Sequence, residues 1–107
     1  MVDVVVTLYL IGAVILGGIA SGLAFYAKKN SIPENKAFLN FYALAVLIMT
    51  IGFIVHTLGD FFSILYNSED LGHIIESTAH VILFISFLLF TLSADKILRV
   101  SKQYWFK

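Results

Sequence analysis

Three apolar stretches, each long enough to cross a lipid bilayer, dominate this sequence. Residues 4–27 contain no Asp, Glu, Lys or Arg. At a rise of 1.5 Å per residue they cover a hydrocarbon core of about 30 Å. In residues 37–66 the only charged side chain is Asp60, and in residues 70–94 the charged side chains are Asp70 and Glu76. Lipid offers the backbone no hydrogen-bond partner, so runs of this kind fold as helices that satisfy their own N–H and C=O groups. Only 13% of the chain is charged and 60% is hydrophobic, against a charged share of about 25% in soluble domains. The expected fold is an all-α integral membrane protein of one domain, residues 1–107. It has three transmembrane helices, TM1 about 4–27, TM2 about 37–66 and TM3 about 70–94. Beyond Ala94 the pattern becomes amphipathic, and Tyr104, Trp105 and Phe106 suit a membrane–water boundary. Residues 95–107 are therefore expected to lie along that surface.

The basic residues fall at one end. Lys28, Lys29 and Lys36 belong to the first loop, and Lys96, Arg99, Lys102 and Lys107 to the C-terminal tail. The N-terminus and second loop have none. Positive-inside bias places the N-terminus outside and the C-terminus in the cytoplasm of a multi-pass protein of the cell membrane. Residues 4–27 do not read as a secretory signal, because Asp3 stands where a basic region belongs and the apolar run is too long. No basic patch suits nucleic acid. The chain has no cysteine, which excludes thiolate metal sites, iron–sulfur clusters and thiol nucleophiles.

Local signals place the ends of the helices. Ser31 and Glu34 fit a capping box, with Pro33 in the first turn of the second helix. Ser68 is the expected N-cap of the third. In the first helix Gly18 and Gly22 form a GxxxG, and Ala13 and Gly17 extend the small-residue row. Such a face lets helices approach closely. It predicts packing within the chain, association with other membrane subunits, or self-association through the Gly17/Gly18/Gly22 face. In the second helix a heptad-spaced seam runs through Tyr42, Ala45, Met49, Gly52, His56, Gly59 and Ser63.

The chemistry gathers around the second loop. His56 and Asp60 stand four residues apart before it, and Glu76 and His80 four apart after it. Folded at Ser68, a helical hairpin puts both histidines at one depth and both carboxylates roughly 6 Å nearer the loop. His73 adds a third imidazole. Ionisable groups in hydrocarbon are costly, roughly 2.5–3.5 kcal/mol for Asp at a helix centre, and mark functional sites by default.

The leading expectation is a transition-metal site, with His56 and His80 as ligands. Asp60 and Glu76 would be ligands or orienting groups, and His73 a peripheral ligand. Zinc or copper is foremost and iron follows; without Cys, and with Met49 the one interior methionine, a Cu(I)-only site is disfavoured. A haem held between copies, or with another subunit, stands behind the metal ion. Two other readings compete: a structural accessory subunit whose His/Asp/Glu pairs fix helix packing, and a proton-sensing or ion-conducting homo-oligomer. No catalytic triad or phosphate loop is present, so catalysis by this chain alone is not expected. In helix count and orientation only, the layout resembles small accessory subunits of membrane oxidases and monooxygenases. That resemblance implies a place in a larger membrane complex, and no motif carries it.

Overall fold

The computed structural model describes the backbone of residues 2–105 and the side chains of residues 4–101. The side chains of Lys102, Tyr104 and Trp105, and the whole of Phe106 and Lys107, on which the interfacial anchor was expected to rest, lie outside the described residues.

The chain forms α1 (Val2–Lys29), α2 (Pro33–Leu65) and α3 (Glu69–Trp105). All three are long and apolar enough to cross a membrane, as the sequence leads one to expect. At 1.5 Å per residue α2 and α3 are about 50 Å and about 55 Å long, and the molecule is a rod of 58 × 22 × 18 Å. Residues 95–105 continue α3 without a break. Ile97, Val100 and Ser101 border a cleft with Ile32, Asn35 and Phe38, so the start of the extension lies beside the first turns of α2.

α2 is the hub. Both α1 and α3 pack against it, and among the described residues no Cα of α1 comes within 8 Å of one of α3. The helices therefore do not close into a triangular bundle.

Small residues hold α2 to α3. Gly72, Ala79, Ser86 and Ser93 recur every seven residues on α3, and Ala45, Gly52 and Gly59 do so on α2; all seven are buried. Ser86 Oγ donates to the Ala45 carbonyl at 2.9 Å and Ser93 Oγ to the Phe38 carbonyl at 3.0 Å. A Cβ on Gly52 would lie 2.9 Å from the Leu83 side chain. A Cβ on Gly59 would lie 3.3 Å from the Gly72 carbonyl oxygen, and one on Gly72 would lie 3.4 Å from that of Gly59. Side chains this small let two backbones approach, while each seryl hydroxyl bonds a carbonyl of the facing helix. As α2 is read backwards and α3 forwards in steps of seven, the partners fall into one antiparallel register.

α1 meets α2 at Gly17, where an added Cβ would collide with the Thr50 side chain. Ala24 and Ala43 are buried nearby in sequence. Gly12, Gly18 and Gly22 face open space. Of the expected glycine face, Gly17 is thus taken up inside the chain, and Gly18 and Gly22 point away from it.

The two loops differ in how they cap. After α2, Asn67 takes φ 49°. The Ser68 N–H reaches the Ser63 carbonyl at 3.1 Å and the Asn67 N–H that of Ile64 at 3.4 Å, the Schellman pattern. Ser68 Oγ then accepts the Leu71 N–H at 3.2 Å, so Ser68 caps α3 as expected. The expected capping box of the first loop does not form. Pro33 starts the helix, which makes Ile32 the N-cap of α2, and its side chain has no acceptor to offer. Ser31 instead donates to the Lys28 carbonyl at 2.9 Å, and Asn30 Nδ2 to that of Tyr26 at 2.9 Å, satisfying the end of α1.

Candidate functional site

The α2–α3 register decides what meets in the polar region. Gly59 and Gly72 lie level with each other. His56 is three residues further from the loop than Gly59, and His80 eight further than Gly72. The two histidine backbones are therefore offset along the axis by about five residues, or roughly 7.5 Å. This corrects the expectation of equal depth: the small-residue seam sets the register, and the loop midpoint does not. Side chains on a helix lean toward its N-terminus. In an antiparallel pair His56 thus leans away from the loop and His80 toward it, which brings the rings together. Their centroids are 5.4 Å apart with an interplanar angle of 69°, edge to face. His56 is half-buried and His80 exposed.

The other three expected residues do not join the pair. Glu76 lies against Gly59 and lines a separate cleft of about 290 Å³ with Ser63, Glu69, Gly72 and His73. Asp60 is half-buried on α2. The ion pair seen among the described residues is Asp95 with Arg99 at 3.0 Å, on the exposed end of α3; no histidine there is salt-bridged to Asp60 or Glu76. Nor do three His, Asp or Glu side chains of the described residues come together as a metal-holding group. One chain therefore does not assemble the five residues into a single shell.

The histidines open into a groove. Met49, Phe53, His56 and Asp60 follow i, i+4, i+7, i+11 spacing and share one face of α2. Met49 and Phe53 border a cleft with Ala13 and Gly17 of α1, while His56 meets His80 of α3. α1 and α3 thus flank the same face of α2 without meeting across it. Met49 is 42% and Phe53 51% exposed, so the groove is open along its floor.

Compared with protein-family models, curated proteins and solved structures, the chain matches none. The side-chain geometry therefore carries the functional argument.

Two imidazoles on one tetrahedral ion, with metal–nitrogen bonds of about 2.0–2.1 Å, hold their ring centroids about 5 Å apart. The spacing of His56 and His80 is close to that. Reading the sequence alone put Met49 and His56 on one seam but did not associate Phe53 with it, although the spacing of Phe53 from His56 carries the signal. Glu69, which the sequence reading did not count among the candidate ligands, lines the cleft with Glu76 and His73.

Proposed function

We propose that this chain is a small membrane-embedded binding subunit that holds a transition-metal ion, zinc or copper before iron, on His56 and His80 within a larger membrane assembly. It sits in the cell membrane with the N-terminus and the second loop outside and the C-terminus in the cytoplasm. The observation that carries the reading is the His56–His80 pair itself, two imidazoles brought together from different helices with no carboxylate bonded to either. The orientation is supported by the basic residues at one end of the rod, Lys28, Lys29, Lys36, Lys96 and Arg99.

A purely structural role for the histidines has less to explain. Ser86, Ser93 and the facing glycines already fix how α2 and α3 pair. Haem fits the pair less well than a metal ion does. Opposed axial imidazoles on one iron need the macrocycle between them, and α2 and α3 approach backbone to backbone at Gly59 and Gly72 beside the pair, which leaves it little room.

The test is elemental analysis and an optical spectrum of protein purified without chelator. Bound zinc, copper or iron that disappears in His56→Ala/His80→Ala supports the reading. Metal-free wild type, or a double variant that keeps its metal, overturns it. A Soret band would replace the ion with haem.

A further inference from the structure

We infer that the His56–His80 site is completed by a second copy of this chain. The second copy's α3 lies in the groove left open between α1 and α3, and four imidazoles surround one metal ion. The inference rests on the metal reading above and adds its missing ligands.

The first observation is the depth of His80. Along α3 it stands about 15 Å inward of Asp70 and about 6 Å inward of Glu76, within the outer half of a hydrocarbon core of about 30 Å. Yet it is exposed on the surface of the single chain. Histidines inside membranes nearly always face protein or a water-filled cavity, because lipid cannot satisfy them. A polar surface of another protein therefore covers His80.

The second observation is the incomplete shell. A closed tetrahedral site takes four ligands. His56 and His80 supply two, and no third His, Asp or Glu of the described residues joins them. Another pair of the same kind is what the site lacks.

The third is symmetry. Copies inserted in one orientation are related by a two-fold axis along the membrane normal, which keeps identical residues at identical depth. Two His56–His80 pairs then face each other directly, an isologous contact. The flank of α3 that makes it carries His73, Ser77, His80 and Phe84 at i, i+4, i+7 and i+11, all exposed. Ser77 is small enough for close approach. Phe84, 75% exposed, supplies an apolar wedge to cover Met49 and Phe53 of the opposite groove. Gly18 and Gly22 take no part in this contact.

The chain has no cysteine, so a single introduced thiol reports the contact cleanly. A full-length Ser77→Cys variant, reconstituted with Zn²⁺ and mildly oxidised, is expected to form disulfide dimers. Gly22→Cys is expected to remain monomeric. Wild type is expected to hold one zinc per two chains, and His80→Ala to lose both the zinc and the Ser77→Cys dimer. One zinc per chain on a monomer overturns the shared site while leaving the two-histidine metal reading intact. So does half-stoichiometric zinc without the Ser77→Cys disulfide, or zinc retained only with a different subunit present. No zinc, copper or iron under any condition overturns both.

Discussion

Gly59 and Gly72 face each other backbone to backbone, so a Cβ on either would stand within 3.4 Å of the other's carbonyl oxygen. This contact fixes the depth of everything beyond it, including the offset that lets His56 and His80 meet. Gly59→Leu or Gly72→Val must spread the helices, which costs roughly 1–3 kcal/mol for overpacking of this kind. Reversible unfolding in detergent micelles is expected to show that loss. His56→Ala and His80→Ala are expected to stay within about 0.5 kcal/mol of wild type when metal is absent. A histidine variant as damaging as a seam glycine variant would show that the pair holds the helices together.

Ser86 and Ser93 each donate a hydrogen bond to the facing backbone, and they lie two turns apart. Ser86→Ala and Ser93→Ala should each cost about 0.6 kcal/mol, the typical value for such bonds inside membranes, with about 1.7 kcal/mol as a ceiling. The losses should add in the double variant because the sites are separated. The same unfolding assay reads both.

The glycines of α1 divide sharply. Gly17→Val places side-chain atoms where Thr50 already stands and should loosen α1 by about 1–3 kcal/mol. Gly18→Val has open space and should fall within about 0.5 kcal/mol of wild type. Equal effects would mean that Gly18 also faces a helix.

The turn offers a backbone test. Asn67 sits at φ 49°, a region that a β-branched side chain enters only at a cost of roughly 1–2 kcal/mol. Asn67→Val should lose about that much, and Asn67→Gly should be neutral or stabilising. Ser68→Ala should lose about 1 kcal/mol with its cap bond.

Metal binding should depend on pH in one direction. Imidazole must be neutral to ligate, so binding competes with protons. Zinc held at about pH 8 should be released as the sample is taken to about pH 5 and should return on neutralisation. Release measured by a chelating dye checks this; affinity that rises on acidification would exclude histidine ligands.

The helices were legible because periodicity and hydropathy act locally. Residues 4–27, 37–66 and 70–94 fall within α1, α2 and α3 to within a few residues, and Ser68 caps as its position suggests. The heptad seam on α2 was also visible, and Ala45, Gly52 and Gly59 are its buried members. The depth of the histidines was not legible, because a loop constrains where two helices join and leaves their axial offset to packing. That offset depends on Gly72, Ala79, Ser86 and Ser93, whose heptad is hidden among Phe, Leu and Ile of equal hydropathy. Glu76 stands almost level with His56, but its side chain leans toward the loop and that of His56 away from it, so the carboxylate and the histidine pair part. Ser31 misled for a related reason: its hydroxyl can accept from a free N–H at the start of α2 or donate to a free carbonyl at the end of α1, and local sequence does not say which it will do.

That α1 packs against α2 alone has a consequence for how the molecule can be taken apart. Residues 33–105 contain both histidines, the seam that aligns them and the turn that joins them, so the hairpin carries the pair without help. Residues 2–29 act as an outrigger: they leave the hairpin's internal fit alone and govern which neighbours reach the histidine face. Exchanging this one segment for another apolar helix with a glycine opposite Thr50 is expected to leave the spacing of His56 and His80 unchanged.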